Sequence, residues 1–292
     1  MPDPASPVVP LRASLHELGL YCADPLRLAD FYATGLGYHF SRDDHGLVGI
    51  ARERRLRILP GEPKKLGYAA YAVESEEVLS NLRDRLRAAN VSTETVDWPG
   101  FLPGSVRFAD PDGNVFLFGQ SERRWHELAP PGSLAAPTAH RPARIQHVVF
   151  ASTDATRLLD FFVSAMGFVL SDRVVDDAGV LRTAFVRCSP EHHSLAVFAA
   201  PENRLDHHCY EAGEWSLIRD WADHFAALRI PLKWGPGRHG PGNNLFVFVH
   251  DPEGNWVEIS AELERVSPDR PVGNWPHEQR TLNSWGIGLL RS

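Results

Sequence analysis

The sequence predicts an α+β protein made of two tandem domains, each built from two βαβββ modules. Three observations support this prediction. The chain has 292 residues, which is enough for two domains of ordinary size, each with its own core. A helical segment of the first half recurs in the second half, and so does a turn that leads into an apolar strand. We therefore interpret the two halves as copies of one unit.

The repeated helix lies in residues 24–38 and again in residues 154–168. Each copy begins with Asp, which is a good N-cap, and carries Leu and Phe at helical spacing before a terminal Gly. A second, amphipathic helix is predicted at about 76–89 in the first half and at about 214–228 in the second. With the strands between them, these helices give the βαβββ pattern twice in each half.

The repeated turn has the sequence Asp-Pro-Asp/Glu-Gly-Asn and occupies the start of residues 110–118 and of residues 251–259. Such a turn reverses the chain, and both copies lead into an apolar run that is predicted to be the last strand of the module.

The domain limits follow from these landmarks and from composition. A proline-rich segment that contains Pro130-Pro131-Gly132 is predicted to be a linker. Trp275 and Trp285 make the end of the chain too apolar for a free tail, so we expect it to pack on the domains or on a partner subunit. The predicted parts are an N-terminal arm (1–13), an N-terminal domain (14–122), the linker (123–141), a C-terminal domain (142–264) and a C-terminal tail (265–292).

Composition and charge exclude several classes of function. The chain is 43% hydrophobic and 23% charged, as expected of a soluble globular protein. Its net charge is −7, and no long block of like-signed residues suggests a nucleic-acid or membrane partner. No apolar run has the length of a transmembrane helix, and the first residues lack the features of a secretory signal. Cys22, Cys188 and Cys209 are expected to be reduced core residues of a cytoplasmic protein.

Two polar residues stand out within apolar strands of the second half. In residues 144–150, alternation places His147 on one face with Ile145 and Val149. Glu258 lies in a similar strand, where a carboxylate is costly to bury unless it is paired or bound to a metal. Taken alone, His147 fits a satisfied core histidine as well as a ligand, and Glu258 fits a rim carboxylate bound to an arginine.

Comparison of the halves strengthens the metal hypothesis. Two His and one carboxylate on one face of a metal leave positions open for substrate and O2, which is the arrangement used for non-haem Fe(II). Only the second half carries this set, so the first half is expected to serve structure, subunit contact or a lid. The candidate ligands His147, His207 and Glu258 correspond to Glu17, Tyr68 and Leu117 of the first half.

The chain resembles a type I extradiol ring-cleavage dioxygenase of the vicinal oxygen chelate superfamily, similar to catechol and homoprotocatechuate 2,3-dioxygenases, most strongly in residues 144–260. The resemblance covers about residues 14–262. It implies that the modules of each domain curl into an open β-barrel, the glyoxalase/bleomycin-resistance/dioxygenase fold. It also implies Fe(II), or alternatively Mn(II), in the C-terminal barrel, a catecholic substrate with O2, and a homo-oligomer, either a tetramer or a dimer.

The resemblance implies that His147, His207 and Glu258 bind the metal. His207 is preferred over His208 because the family's ligand is followed after two residues by an aromatic, here Tyr210.

The resemblance also assigns two further histidines. His193 matches the acid–base histidine of the family, and His239 matches the histidine that stabilises charge at the substrate oxygen. Without the resemblance, we would interpret both as polar loop residues.

Two positions depart from the family pattern. Phe248 stands where a Tyr is usual, and Val149 stands where an Asn is often found. Together with Trp256, they predict a substrate pocket suited to a bulkier or more apolar catechol. The expected function is Fe(II)-dependent extradiol (meta) ring cleavage in aromatic degradation. The alternatives are another metal-dependent enzyme of the superfamily, of the isomerase or lyase type, and a non-catalytic aromatic-binding protein.

Overall fold

The computed structural model describes residues 11–122 and 141–290. Most of the predicted arm (1–13) and nearly all of the predicted linker (123–141) therefore lie outside the described residues. Within 11–122 the elements are β1 (Ala13–Cys22), α1 (Pro25–Leu36), β2 (His39–Asp43), β3 (Gly46–Ala51), β4 (Arg54–Pro60), β5 (Leu66–Val73), α2 (Glu76–Ala88), β6 (Thr93–Val96), β7 (Ser105–Ala109) and β8 (Val115–Gln120).

The second half repeats this order of elements and then adds a tail. Its elements are β9 (Arg144–Ser152), α3 (Ala155–Asp160), β10 (Val169–Val175), β11 (Leu181–Arg187), β12 (Leu195–Ala199), β13 (Arg204–Glu211), α4 (Trp215–Ala227), β14 (Trp234–Arg238), β15 (Leu245–His250) and β16 (Trp256–Ala261). The tail contributes β17 (Gly273–Pro276) and α5 (Gln279–Leu282).

Each half forms one open mixed sheet. The strand orders are β2-β3-β4-β1-β5-β8-β7-β6 and β14-β15-β16-β13-β9-β12-β11-β10-β17. In each sheet, the first strands of the two modules pair antiparallel at the centre, β1 with β5 and β9 with β13. Each of these central strands also pairs in parallel with the last strand of its own module. The predicted α+β fold of paired βαβββ modules is confirmed.

The helix starts follow from the two aspartates that the sequence repeats. The side chain of Asp24 accepts a hydrogen bond from the backbone N–H of Arg27 at 3.1 Å, and Asp154 accepts one from Arg157 at 3.0 Å. The first helix ends at Gly37 in the left-handed conformation. In the second copy, α3 passes into one π-helical turn (Phe161–Ala165), so the two copies differ in their last turn.

The apolar interior is continuous between the halves. One cluster of buried side chains includes residues of both sheets. Phe116 of β8 and Phe150 of β9 pack with ring centroids 5.9 Å apart, and Tyr71 of β5 packs against Phe168 at the same distance. The expectation of a separate core for each domain is therefore not met, because the two sheets bury their apolar faces against each other.

The C-terminal tail packs on the C-terminal domain. Strand β17 extends the second sheet by pairing in parallel with β10. Trp275 donates a hydrogen bond from Nε1 to Asp172 at 2.7 Å, and the ring of Trp285 packs edge-on against Trp215. The tail thus behaves as its tryptophans predicted.

Among the helices of the described ranges, none is both long and apolar enough to cross a membrane.

Candidate metal centre

Three neighbouring strands bring the candidate ligands together. His147 lies on β9, His207 on β13 and Glu258 on β16, and these strands are adjacent in the second sheet. Nε2 of His147 lies 3.4 Å from Nε2 of His207. Oε2 of Glu258 lies 3.2 Å from the first of these atoms and 3.3 Å from the second. The structure therefore gathers three donor atoms into a nearly equilateral triangle.

This triangle fits a divalent cation. Ligand atoms held about 2.1 Å from an ion, at right angles to one another, lie about 3 Å apart. All three side chains are buried, so their donors face one another in place of water. Two neutral imidazoles and one carboxylate are also the donor set that suits Fe(II), Mn(II) or Zn(II).

Hydrogen bonds on the far side of each imidazole select the nitrogen that faces the centre. Nδ1 of His147 is hydrogen-bonded to the amide oxygen of Gln146, and Nδ1 of His207 lies 2.7 Å from Oδ2 of Asp206. Both partners are acceptors, so each imidazole donates from Nδ1 and presents the lone pair of Nε2 to the centre. Such outer partners fix the tautomer and orientation of ligand histidines.

Two β-bulges allow sequence neighbours to act as these partners. The pairing of β13 with β9 shifts between Leu205 and His207, where Asp206 is the extra residue. It shifts again on β9 at Gln146, between Ile145 and His147. Without a bulge, residues one apart on a strand point to opposite faces.

The second bulge corrects one expectation from the sequence. Ile145 does not share the face of His147 and Val149. It packs in the main core with Val148 and Phe150, whereas Val149 packs in a separate cluster with Ala196 and Phe198. Strict alternation fails here because the extra residue at Gln146 reverses the order of faces.

The charges of the three ligand candidates depend on one another. Burial alone would raise the pKa of Glu258, but hydrogen bonds with His147, His207 and His239 outweigh it and hold the pKa well below its usual range. Burial lowers the pKa of His147 despite the nearby Glu258. For His207, burial is outweighed by hydrogen bonds to Asp206 and Glu258, which raise the pKa. A carboxylate and imidazole lone pairs are the forms that a metal requires.

Cys209 lies beneath this triangle. It is the register partner of His147 on one side and of Glu258 on the other, and its thiol lies close to both. Burial raises the pKa of the thiol well above its usual range, so it stays protonated. We keep the interpretation of Cys209 as a core residue, and the iron content of its alanine variant tests it.

The structure also brings His193 and His239 to the centre. The ring of His193 packs 4.4 Å from that of His147, measured between centroids. Nε2 of His239 lies 3.6 Å from Oε1 of Glu258, and its Nδ1 donates to the carbonyl oxygen of Leu282 at 2.6 Å. Burial, together with the neighbouring His147 and His192, places the pKa of His193 well below its usual range, so its ring is neutral at neutral pH.

A cavity with about 490 Å³ of empty space opens on these five side chains. Phe248 and Val149 line it, whereas Trp256 packs edge-on against Phe248 and His250 and is not among the lining residues. The remaining lining residues are Phe185, Phe198, Trp234, Pro241, Asn244, Thr281, Leu282 and Leu289.

The corresponding positions of the N-terminal domain hold an ion cluster instead. Glu17 is buried, and its Oε2 accepts a hydrogen bond from Nε of Arg55 at 2.9 Å. Nε of Arg57 lies 3.6 Å from Oε1, and the hydroxyl of Tyr68 donates to the same oxygen. Burial would raise the pKa of Glu17, but the two guanidiniums outweigh it and lower the pKa. Positively charged side chains thus balance the charge of Glu17 in the first domain, as a metal would balance that of Glu258 in the second.

Several residues of the site were missed from the sequence. Gln146 and Asp206 orient the two imidazoles, and Asn244 donates to Oε1 of Glu258 at 3.3 Å. Leu282 and Leu289 of the tail close one wall of the cavity. Asp206 carried a partial signal, because it is a carboxylate directly before a candidate ligand, but strict alternation would turn it to the opposite face. The other contacts depend on tertiary structure.

Comparison with known proteins agrees with this geometry. The family model described as Glyoxalase/Bleomycin resistance protein/Dioxygenase superfamily matches residues 144–259, which contain all three candidate ligands. The match covers 116 of the 292 residues, and all of them lie in the second half. The resemblance predicted from the sequence is thereby confirmed.

Three relatives illustrate the similarity in sequence. Metapyrocatechase 2 of Cupriavidus necator is 27% identical over 301 residues, which cover 96% of this chain and 92% of that protein. Biphenyl-2,3-diol 1,2-dioxygenase of Paraburkholderia xenovorans is 28% identical over 294 residues, covering 95% and 96%. The iron-dependent extradiol dioxygenase of Rhodococcus jostii is 24% identical over 250 residues, covering 80% and 81%.

Solved structures show the same fold over nearly the whole chain. Homoprotocatechuate 2,3-dioxygenase of Arthrobacter globiformis has a TM-score of 0.80 at 23% identity, covering 98% of this chain and 91% of that one. The Mn(II)-bound glyoxalase of Novosphingobium aromaticivorans has a TM-score of 0.76 at 25% identity, covering 95% and 92%.

Proposed function

We propose that this protein is an Fe(II)-dependent extradiol dioxygenase that cleaves the ring of a catecholic compound with O2, in the degradation of aromatic compounds. The observation that carries the proposal is the arrangement of five side chains around one cavity. The donors of His147, His207 and Glu258 lie 3.2–3.4 Å apart, and His193 and His239 face the same space. The reaction class is supported by the relatives named metapyrocatechase, biphenyl-2,3-diol 1,2-dioxygenase and iron-dependent extradiol dioxygenase.

His147, His207 and Glu258 would hold the metal. When bound there, Fe(II) supplies Lewis acidity for the diol and open positions for the diol and O2, and Mn(II) supplies the same functions. The name of the Rhodococcus relative favours iron, and the Mn(II)-bound glyoxalase shows that manganese is used on this fold. Gln146 and Asp206 keep the two imidazoles in the tautomer that such an ion requires.

His193 is the proposed acid–base residue. It is buried in the cavity wall, and its ring is held between His147 and Phe185. A neutral imidazole in this position accepts the proton of a substrate hydroxyl and returns it when the ring opens.

His239 is the proposed stabiliser of charge on the substrate oxygen. Its ring is fixed by the hydrogen bond from Nδ1 to Leu282 and by stacking on Phe246, with centroids 4.0 Å apart. With Nδ1 donating to Leu282, the ring stabilises negative charge on the substrate oxygen when Nε2 also carries a proton.

The walls of the cavity favour an uncharged, apolar catechol. Eight of the fifteen lining residues are apolar, among them Phe185, Phe198, Trp234, Phe248 and Leu289. Among the described residues, none of those that line the cavity is a lysine or an arginine. A carboxylate on the ring would therefore be buried without a cationic partner, whereas an alkyl or aryl group would bury apolar surface.

The test is O2 uptake by anaerobically prepared, Fe(II)-loaded protein. The panel contains catechol, an alkylcatechol, a dihydroxybiphenyl and a carboxyl-bearing catechol, and the visible spectrum is followed for a yellow ring-opened product. We expect one O2 consumed per product, with the alkyl or aryl diol favoured over the carboxylate. His193→Asn with full iron should bind the diol and turn it over poorly. Iron-loaded protein that consumes no O2 with any diol would overturn the proposal.

A second candidate is a metal-dependent isomerase or lyase of the same superfamily. The likeness to the Mn(II)-bound glyoxalase favours it. Conversion of a hemithioacetal by metal-loaded protein, with no O2 uptake from any diol, would identify this alternative.

We also infer a reducing, cytoplasmic environment and a homo-oligomeric state. Cys22, Cys188 and Cys209 are free and buried, which suits the first inference. Trp285 and Ile287 expose 53% and 74% of their surfaces near the tail, which suits a contact between subunits. Light scattering on the purified protein tests the second inference, and a monomer at micromolar concentration would contradict it.

The domain limits 14–122 and 142–264 remain our proposal. Each contains one set of paired modules, and the tail joins the second sheet through β17. Limited proteolysis that cuts first within 123–141 would support these limits.

A further inference from the structure

A buried carboxylate stands behind the acid–base histidine. Asp172 on β10 is fully buried, and its Oδ1 accepts hydrogen bonds from Nη1 of Arg270 at 2.7 Å and from the backbone N–H of Gly273 at 3.1 Å. Its Oδ2 accepts one from Nε1 of Trp275 at 2.7 Å and lies 3.1 Å from Nε2 of His192. Four nitrogens thus surround one carboxylate, and three belong to the tail.

The tail approaches this carboxylate closely for a structural reason. A Cβ atom at position 273 would lie 2.3 Å from Oδ1 of Asp172, so only glycine fits there. Burial would raise the pKa of Asp172, but hydrogen bonds from His192, Arg270 and Trp275 outweigh it and lower the pKa to about 2. Asp172 is therefore a carboxylate at neutral pH and accepts hydrogen bonds without donating any.

The acceptor role of Asp172 determines which nitrogens of His192 and His193 carry hydrogens. Nε2 of His192 lies 3.1 Å from an oxygen that only accepts, so in an uncharged ring the hydrogen belongs on Nε2 and the lone pair on Nδ1. Nδ1 of His192 lies 3.0 Å from Nδ1 of His193. The hydrogen between these two atoms then belongs to His193, which leaves Nε2 of His193 with a lone pair. That is the nitrogen turned away from His192, in a ring that lines the cavity.

We propose that Asp172 and His192 are positioning residues that hold His193 in the tautomer able to accept a proton, and that they relay that proton away from the cavity. The proposal rests on the proposed dioxygenase function and adds a proton path to it. It involves only residues of this chain, which run from the cavity wall through His193 and His192 to the anchored tail.

The relay consists of two proton transfers outward and two back. The substrate hydroxyl gives its proton to Nε2 of His193, and the hydrogen on Nδ1 of His193 moves to Nδ1 of His192. His192 becomes an imidazolium beside the Asp172 carboxylate, and His193 remains neutral with its hydrogen on Nε2. Delivery of that hydrogen to the opened ring lets the hydrogen on His192 return to Nδ1 of His193. No proton is gained or lost over the cycle.

A purely structural role for Asp172 is the alternative. The carboxylate also anchors the tail, so its loss could disturb Leu282 and Leu289 in the cavity wall. The two roles differ in their effect on His193, because anchoring does not involve the tautomer of an imidazole.

The first measurement is the tautomer of His193, from two-bond ¹H–¹⁵N correlation spectra of protein labelled with ¹⁵N-histidine. Spectra are recorded without metal and with Zn(II), which is diamagnetic, and the signals of His193 are assigned by their loss in His193→Asn. We expect the hydrogen on Nδ1 in the wild-type protein. His192→Phe should move it to Nε2, and Asp172→Asn should mix the two forms. His192→Asn keeps an acceptor beside His193 and should retain the wild-type tautomer.

The second measurement is the kinetics of the Fe(II)-loaded protein. General acid–base catalysis contributes about 10²–10⁴-fold to rates, so we expect kcat to fall by about 10²-fold in His192→Phe and in His192→Asn, with KM within about threefold of wild type. The asparagine variant separates the roles, because it preserves the tautomer but cannot carry the proton.

Two control variants match these changes. Trp275→Phe removes a tail hydrogen bond to the same oxygen of Asp172 and leaves His192 in place, so it should lower thermal stability and keep the tautomer. Asp110→Asn makes the same change at a buried carboxylate of the other domain and should leave His193 unchanged.

The outcomes separate this proposal from the proposed function. Either of two results would overturn the relay and leave the dioxygenase intact. One is a hydrogen on Nε2 of His193 in the wild-type protein. The other is a hydrogen on Nδ1 of His193 in every variant, together with an unchanged kcat. If no diol is turned over, the reaction class fails, and the spectra alone still decide whether Asp172 and His192 set the tautomer.

Discussion

Nε2 of His147 lies 3.2 Å from Oε2 of Glu258, although a whole strand separates the strands that carry them. Neighbouring strands are about 4.8 Å apart, so these two backbones lie roughly 10 Å from each other. The side chains meet above Cys209, which is the register partner of both. A small residue at this position leaves room for the two ligand candidates to converge.

The first prediction concerns Cys209. Cys209→Ala and Cys209→Ser should retain iron near one per chain, because the thiol is a spacer and not a ligand. Cys209→Leu should lose most of the iron, because a larger side chain fills the space above the strand and overpacking also costs about 1–3 kcal/mol. Iron content and thermal unfolding are the measurements. Loss of iron from the alanine variant would make Cys209 a ligand.

The second prediction concerns the ligand set. His147→Ala, His207→Ala and Glu258→Ala should each lose iron while staying folded. The matched control is Glu17→Gln, at the position that corresponds to His147 in the first domain. It breaks a buried ion cluster, so we expect a loss of about 3–5 kcal/mol in the free energy of unfolding with iron retained. A residue whose alanine variant binds stoichiometric iron is not a ligand.

The third prediction concerns Asp206. Asp206→Asn weakens the hydrogen bond that orients His207, and changes of this kind typically reduce metal affinity about 10–100-fold. Competition with a chelator measures the dissociation constant for Fe(II) or Zn(II). Asp154→Asn, a change of the same type at an exposed helix cap, should leave that constant unchanged. Equal affinities in the two variants would show that Asp206 does not tune the site.

The fourth prediction concerns specificity. Leu289 lines the cavity, so Leu289→Lys should add a cation that a carboxyl-bearing catechol can use. A hydrogen bond to a charged group contributes about 1.5–3 kcal/mol, which corresponds to roughly a 10-fold gain or more in kcat/KM for that substrate. Leu290→Lys is the control, because Leu290 is exposed and not among the lining residues. If both variants behave alike, the gain comes from net charge alone.

The fifth prediction concerns acid stability. Burial outweighs the neighbouring Glu17 and lowers the pKa of His16 to about 3. In the unfolded chain the same group binds a proton below about pH 6.5, so between these values the unfolded state holds one more proton. The free energy of unfolding therefore falls with acid by about 1.4 kcal/mol per pH unit from this group alone.

Replacement of His16 tests that sign. His16→Gln should flatten the decline in stability between about pH 6 and pH 4, measured by urea unfolding of the metal-free protein. Parallel pH curves for variant and wild type would contradict the prediction.

The internal repeat predicted much of the fold. Asp24 and Asp154 cap their helices, and the Asp-Pro turns at 110 and 251 lead into the last strands of their modules, because these features depend on local hydrogen bonds. The joint core could not be predicted, since it depends on how two sheets meet in space. The π-helical turn after α3 was also missed, because its sequence pattern is that of an ordinary helix.

For the site, the candidate ligands could be predicted from the sequence, whereas their hydrogen-bond partners could not. The ligand set His147, His207 and Glu258 came from the resemblance to extradiol dioxygenases, and the structure gathers these residues. Asp206 and Gln146 were missed because strict alternation places neighbours on opposite faces, and the bulges that overturn this rule have no clear sequence signal. Trp256 was placed in the pocket from its nearness in sequence to Glu258, but its ring packs behind Phe248.

The aromatic contacts between the sheets make the second half dependent on the first for covering its apolar surface. Phe116 and Tyr71 of the first half cover Phe150 and Phe168 of the second. A fragment that carries only the second half would present these rings to water and would be prone to aggregate on expression. The N-terminal copy could therefore lose every candidate ligand during divergence and still be kept by selection, because it covers apolar rings of the copy that carries the candidate ligands.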